Sequence, residues 1–550
     1  TQEGKIMKRK AVAAVLTAVM VASMFTGCGS DNGSSSAKSA SAASAASAAN
    51  DTVDEDGKVN GIMYQEGLPL VDEGDYTFSI FCDDSSESGE FIMLDEFKKQ
   101  TNVDVDLKIY PYETATERLN LDLNSGDYAD VIGGWTLSDN AILTYGVNQG
   151  VFIPLEDYFE KYCPNISAIL DLPGVREKMT APDGHIYTIP YVCTDTTVGY
   201  SPYINTKWLE NVGMSMPTTT DEFEAVLKAF KEQDANGNGD ASDEIPFSTD
   251  PNNKHIEAMA GYFGLPMNKL GIAIQNEKVV YGGVSDTYRE FLSWFHKLYA
   301  EGLVDVELYT QDSSTWEGKG NQDLYGVSIA YGSNEFTGIP AAEERGDFDS
   351  MPVLNTDKDG IWLRDTEGFS VYRTQAVITN KAEHPEIICR WFDNAFALEN
   401  GIGCNRGPVG VIVNKEDDGY HAIDTTTLSE EDQEKYSWGN LWPQSLPKYL
   451  PVDFEFVEEH PMYDEKKATE EAYEANLTKE IIPSYWIDLD KIDTFSDTNT
   501  AIKDFFEQQQ AQFVCGELDI DNDADWQAYV DGMYSCLLYT SPSPRDRQKS

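Results

Sequence analysis

Residues 76–81 (Tyr-Thr-Phe-Ser-Ile-Phe) are an apolar run of strand length, residues 91–100 read as a helix, and residues 103–109 alternate apolar and polar with period two. A strand, a helix and a second strand in that order close into a compact unit as a crossover, which predicts a largely parallel sheet with helices on both faces. Asp130-Val131-Ile132 then reads as another buried strand. Helical spacing recurs further on. Thr219 and Glu222 form a capping box ahead of Phe223, Val226, Leu227 and Phe230, which fall on one face of a helix over 219–233. A second helix spans 287–301, with Tyr288, Phe291, Phe295, Leu298 and Tyr299 inward and Gly302 as its stop. A third starts at Pro385, continues through Ile388, Trp391, Phe392 and Ala395, and ends near Gly401. The patterned body, residues 75–534, is too long for one core, so at least two lobes are expected.

The ends are of a different character. Met7 opens a basic stretch (Lys8, Arg9, Lys10), followed by an uncharged apolar run over 11–25 and then Thr26-Gly27-Cys28. That order is a secretory signal, and its apolar run is too short for a confident membrane span. Phe25-Thr26-Gly27-Cys28 resembles the lipobox at which bacterial lipoproteins are cleaved and lipidated, with Phe25 where Leu is usual. The resemblance implies that residues 1–27 are leader and signal, and that a lipid on Cys28 anchors the chain outside the cytoplasmic membrane. Residues 29–50 are nearly all Ser, Ala and Gly and are expected to be a tether with a reach of roughly 25–30 Å. With the acidic, poorly patterned stretch after them, they make 28–74 the expected connector. Residues 535–550 break with the acidic body and read as a foreign tail.

Residues 1–27 carry net +3 and residues 535–550 net +2, so the body is more acidic than the −55 of the whole chain. Such a field repels nucleic acid and anionic membrane surfaces, and it favours a soluble monomer. Six body cysteines (Cys82, Cys163, Cys193, Cys389, Cys404, Cys515) contain no C-x-x-C pair and are too sparse for a stapled scaffold. One or two bridges or buried free thiols both remain open. Six histidines, none in an H-E-x-x-H arrangement, give no zinc site.

The sharpest local motif follows the capped helix. Asp234, Asn236, Asn238 and Asp240 alternate with small residues around Gly239, and Asp243 and Glu244 close the run. Hard oxygens at alternate positions converging on one centre are the start of a calcium loop of EF-hand type. Its twelfth position is Ile245, so Asp243 and Glu244 must close the cage, and the expected role of calcium is structural. The other reading is an acidic, Asx-rich turn without an ion.

Gly126-Asp127-Tyr128-Ala129-Asp130-Val131-Ile132, Asp183-Gly184-His185-Ile186-Tyr187-Thr188-Ile189-Pro190-Tyr191, and Ile204-Asn205-Thr206-Lys207-Trp208-Leu209 ahead of Pro217-Thr218-Thr219-Thr220-Asp221-Glu222-Phe223 resemble, in order, the segments of family 1 extracellular solute-binding proteins. The loop ending Asp243-Glu244-Ile245-Pro246 is similar to that of the family's oligosaccharide-binding branch. The resemblance spans about residues 75–534. It implies a two-lobed α/β fold of the type II periplasmic-binding-protein kind, with parallel-rich sheets and a hinge of crossing strands. The expected division is lobe one over 75–195, lobe two over 196–365, and return segments and C-terminal helices packing on both lobes over 366–534. It also implies that a carbohydrate is captured between the lobes and delivered to the permease of an ABC importer, without catalysis.

Sugars offer flat apolar faces and many hydroxyls, so exposed aromatics beside polar groups are the expected lining. Trp135 follows a strand end and Gly133-Gly134, and Asp83 and Ser85 follow the first strand in the same way, where ligands gather outside a parallel sheet. Tyr191 follows the Ile-Pro of a crossing segment. Trp362 and Arg364 precede Gly368, where the chain is expected to return to the first lobe. Tyr331, Trp438 and Trp442 complete the candidates, the last two in a Gly/Pro-broken stretch. For each aromatic, core packing is the competing reading. Two other functions stay open: a secreted glycoside hydrolase, which needs two carboxylates about 5 to 9.5 Å apart, and a sensor or adhesin of the same fold.

Overall fold

The structure is a computed structural model describing residues 51–84, 90–251, 256–276, 278–338, 347–423, 425–451, 454, 456–457, 461–482, 485–487 and 491–538. Cys28, the tether over 29–50, Ser85 and residues 539–550 lie outside the described residues.

Nine strands build the two larger sheets: β1 (Tyr76–Asp83), β2 (Val103–Tyr110), β3 (Val131–Gly133), β4 (Thr188–Thr194), β5 (Ser201–Asn205), β6 (Ile245–Thr249), β7 (Tyr325–Ala330), β8 (Phe348–Ser350) and β9 (Phe369–Ile378). Sheet one runs β2-β1-β3-β9-β4 and sheet two runs β8-β5-β7-β6. The two-lobed α/β architecture is the expected one, and its sheets are mixed. Parallel pairing is confined to β1 with β2 and β3, and to β6 with β7, while β9, β5 and β8 run antiparallel to their neighbours. The reason is the route of the chain. β9 enters sheet one on its way back from lobe two, so no crossover helix sets its direction.

Period two decides which side chains meet which layer. In β1, Phe78, Ile80 and Cys82 join a core with Phe97, Ile387, Trp391 and Trp442, while Phe81 faces the opposite layer with Leu119, Ile132, Phe152 and Val377. In sheet two, Ile204, Phe247 and Val327 pack on Trp208, Phe223, Leu227 and Phe295, while Tyr203 and Tyr325 meet Trp316 and Phe336 on the other side. Each lobe therefore has its own two-sided core, which lets the lobes move as bodies about the segments between them. Among the described residues no helix is long and apolar enough to cross a membrane.

Three expectations need correction. Residues 51–74 are not connector: Val59, Met63, Leu70 and Val71 are buried in the core of lobe one, and a short hairpin pairs Lys58–Val59 with Met63–Tyr64. Few apolar residues at irregular spacing gave no period to read. The helix starting at Pro385 is two, Pro385–Ala395 and Leu398–Arg406, because Ala397 between them is extended. Gly401 lies inside the second, where a Cβ would collide with the Tyr449 carbonyl. The C-terminal helices Ile492–Cys515 and Asp523–Leu538 pack on lobe two, through Phe506, Phe513, Trp526 and Tyr529. Lobe one receives Trp486 from the segment before them. The six body cysteines are free thiols, four of them buried.

Candidate functional site

At the carboxyl end of β1, Asp83 is buried and turned inward. Its carboxylate accepts the Trp135 N–H at 2.9 Å and the Thr136 N–H at 2.6 Å. Burial pushes its pKa up, and these hydrogen bonds oppose the shift. Gly134 makes the approach possible, since its φ is +130° and a Cβ there would collide with the Asp83 carboxylate. Asp83 is thus a support for the Trp135 turn, which corrects its expected place as a direct ligand contact.

What that turn presents is an indole, 47% exposed. Trp135 meets Tyr372 edge-on with centroids 5.4 Å apart, and Tyr191 at 6.4 Å. Tyr191 and Tyr372, cross-strand partners in β4 and β9, stack at 5.4 Å. The two tyrosines brace the tryptophan from behind. Sequence reasoning missed Tyr372, because only the pairing of β9 with β4 brings it opposite Tyr191.

The loop over 438–448 supplies a second exposed ring on this lobe. Trp438 is 57% exposed, and the Lys448 ammonium lies 5.0 Å from its centroid. Gln444 ties the loop down: its N–H donates to Asp84 Oδ2 at 2.7 Å, and its amide donates to the carbonyls of Trp438 and Trp442. Trp442, four residues on, is a correction. It is fully buried between Phe97 and Trp391, at 5.2 and 5.7 Å, and belongs to the core.

Lobe two meets the hinge at a cluster of charge. Tyr331, half-buried after β7, has its ring 3.9 Å from the Lys466 ammonium and 6.0 Å from Tyr200. Its N–H donates to Glu335 Oε2 at 2.9 Å, and burial pushes the Glu335 carboxyl up to about 7. Lys466 donates to the Gly199 carbonyl at 2.6 Å, and burial pushes it down to about 8.

Three segments cross here. The Gly199 N–H donates to Asp365 at 2.7 Å, the Asp365 N–H to the Thr197 carbonyl at 3.0 Å, and the Thr197 N–H to Glu470 at 2.5 Å. The first crossing is thereby laced to the second and to the helix Pro461–Tyr473 by carboxylates that accept backbone N–H groups. Burial pushes Asp365 up to about 6.

The other two candidates near this crossing are structural. Trp362 is buried against Tyr262 and Tyr473, at 5.8 and 5.5 Å, and pairs with the backbone of Asn476. Arg364 donates to the Thr478 carbonyl and pairs with Glu474 at 3.2 Å, which fixes the segment after the third crossing. Both corrections have one cause: the chain from residue 473 onward covers a face that an isolated reading of 362–368 leaves open.

The acidic loop joins the helix Thr220–Glu232 to β6. Asp234 Oδ2 accepts the Gly239 N–H at 2.9 Å and Glu244 Oε1 accepts the Ala235 N–H at 2.9 Å. Asn238 reaches Asp243 at 2.7 Å, and the Asp240 carboxylate is taken by Ser242. Asp234 Oδ1 and Glu244 Oε2 are left buried with no hydrogen-bond partner. Two carboxylate oxygens buried without donors are costly, and a hard cation is the natural remedy. The donor set fits calcium on that observation.

Separate cores, laced crossings and bare aromatic rings beside the end of β1 describe a two-lobed binding protein. A family model described as bacterial extracellular solute-binding protein matches residues 84–401, more than half of the chain. The chain belongs to that family. It is 31% identical over 411 residues to the fructooligosaccharide ABC transporter substrate-binding protein FusA of Streptococcus pneumoniae, covering 72% of this chain and 70% of that one. Solved structures of FusA with kestose, and of a FusA EF-hand mutant with fructo-nystose, superimpose with TM-scores of 0.73 and 0.71 at 26% identity. Each covers 84% of this chain and 96% of the other. Lipoprotein LipO of Bacillus subtilis is 28% identical over 280 residues, 49% of this chain and 52% of LipO.

Proposed function

We propose that this chain captures an oligosaccharide between its two lobes and delivers it to the permease subunits of an ABC importer, working as a monomer outside the cell and held to the membrane by a lipid on Cys28. The observation that carries the reading is the pair of exposed rings, Trp135 and Trp438, both set beside the carboxyl end of β1 through Asp83 and Asp84. A protein that leaves two tryptophans bare beside one strand end is prepared for a flat apolar partner, and a sugar ring has such a face. Lobe two supplies what the hydroxyls need, through Tyr331, Glu335 and Lys466. Closure then follows from contacts made to both lobes at once. FusA, whose name gives fructooligosaccharides as its ligand, supports the ligand class and the importer.

Calcium completes the reading as a structural ion. Asp234 and Glu244 would hold it through the two oxygens left without partners, with Asn236, Asn238 and Asp243 as the further side-chain candidates. Asp240 sits at the seventh loop position, where the backbone carbonyl is the usual donor. Bound there, such an ion would neutralise the loop's carboxylates and pin the loop between helix and strand.

The test is calorimetric titration of the full chain with kestose and a panel of longer oligosaccharides, followed by mass spectrometry of the recovered sugar. Saturable binding with unchanged sugar is expected. Turnover of the sugar would overturn the receptor reading in favour of a glycoside hydrolase. For the anchor, wild-type protein is expected in the membrane fraction and Cys28→Ser in the medium; equal partitioning of the two sinks the lipid assignment.

A further inference from the structure

Lys448 is 3% exposed, at the base of the loop that carries Trp438. Among the described residues no carboxylate lies within ion-pair distance of it; its hydrogen bond goes to the Gln444 side-chain oxygen. A buried ammonium without a paired anion is costly to keep, so a fold that retains one invites a reason. The reason is visible in what the ammonium faces. It lies 5.0 Å from the centroid of Trp438, on the inner side of a ring that is 57% exposed outward. Gln444 holds both partners, accepting from Lys448 and donating to the Trp438 carbonyl at 2.9 Å.

We propose that Lys448 is a positioning residue for ligand binding, whose ammonium holds the Trp438 ring so that its outer face stacks on a sugar that Lys448 itself does not touch. The inference rests on the sugar-binding reading above. It adds a cation to a site whose ring alone was legible.

The groups facing Lys448 are Asp84 from the end of β1, Cys193 from β4, and Cys404 and Arg406 from the helix Leu398–Arg406. Burial pushes Lys448 down to about 8, and Arg406 adds to that shift, while the Asp84 carboxylate opposes it. Burial also pushes the Cys193 thiol up to about 12 and raises that of Cys404, so both stay neutral where Lys448 titrates.

Two pH trends of opposite sign follow. The cation–π contact exists only while Lys448 is charged, so sugar affinity falls as pH rises through about 8. Stability moves the other way. The folded-state pKa lies below the ordinary lysine value, so the unfolded chain holds the proton longer, and stability gains as pH climbs from about 8 towards that value. A lysine that only supported the fold would strengthen binding and stability together.

The experiment compares wild type, Lys448→Met and Lys448→Arg, titrated with kestose and the oligosaccharide panel at pH 6.5 and 9.5. Wild type is expected to bind about tenfold more weakly at pH 9.5. K448M is expected to be weak at both pH values, and K448R to keep most of its affinity at both. Lys466 titrates in the same range, and whatever loss K448R still shows is its share. If no oligosaccharide binds at pH 6.5, the sugar reading falls and this inference with it. Binding at pH 6.5 with K448M equal to wild type, or with K448R falling as steeply as wild type, overturns the inference alone. A second readout avoids misfolded variants: the emission difference between wild type and Trp438→Phe should titrate near pH 8, and a flat difference also overturns the proposal.

Discussion

On lobe one two exposed indoles, Trp135 and Trp438, stand on a buried strand end and a tied-down loop, while lobe two carries a knot of charge around Tyr331, Glu335 and Lys466. The first wall offers area and shape. The second offers hydrogen bonds whose strength depends on protonation, because burial holds Glu335 near 7 and Lys466 near 8. On the proposed reading the difference would divide the work: lobe one would recognise a flat apolar face before closure, and lobe two would favour closure through polar contacts. Stability and affinity should therefore respond separately to changes in the two walls.

The largest effect tests whether the lobe-one wall is really two layers. Trp442→Ala empties a site between Phe97 and Trp391 and should cost about 3–5 kcal/mol in chemical denaturation. Trp438→Ala, four residues away, should leave stability within about 0.5 kcal/mol and weaken sugar binding. Equal destabilisation by both would erase the distinction between layer and platform.

Next in size is the proposed calcium ion, whose removal should affect lobe two alone. At a calcium concentration 100 to 1,000 times its Kd, chelation should remove roughly 2.7–4.1 kcal/mol. Amide exchange should quicken over residues 233–249 and stay unchanged in β1–β3. Burial raises the Glu244 pKa, so its proton competes with the ion, and calcium affinity should fall as pH drops through that raised range. A melting temperature indifferent to chelation would return the loop to a plain Asx-rich turn. Smaller again, Trp135→Ala should weaken oligosaccharide binding by about 2 kcal/mol, some thirtyfold in Kd.

Much of this was legible because it is local. The capping residue Thr219, whose hydroxyl accepts the Glu222 N–H at 3.2 Å, and the inward face of Phe223, Val226, Leu227 and Phe230 are properties of one helix. The loop 234–244 gathers its carboxylates and amides within eleven consecutive residues, and two of its carboxylate oxygens are buried without partners. What escaped depends on distant pairing. Trp438 and Trp442 look alike in a Gly/Pro-broken stretch, and only the docking of that stretch against Phe97 and Trp391 separates platform from core. Tyr372 needed the register of β9 on β4, and Lys448 needed the fold of its own loop. Trp362 and Arg364 were misread because Tyr473, Glu474 and Thr478 arrive more than a hundred residues later.

The smallest effect returns to the charged wall. Glu335 sits above its ordinary range because of burial, with the Tyr331 N–H and Lys466 pulling it back and Asp250 pushing it further. A carboxyl with a raised folded-state pKa keeps its proton longer in the folded chain. Its contribution therefore favours folding below that range and is lost as pH rises through about 7. Glu335→Gln keeps an oxygen for the Tyr331 N–H and cannot ionise, so its stability relative to wild type should be lowest below the ordinary carboxylate value of 4.5 and should grow by on the order of 1–2 kcal/mol between pH 5.5 and 8. Lobe one carries the internal control, because Asp83→Asn leaves Glu335 untouched and should not flatten the slope around pH 7. If wild type and Glu335→Gln lose stability in parallel between pH 5.5 and 8, the titrating group lies elsewhere and the contrast between the walls loses its pH signature.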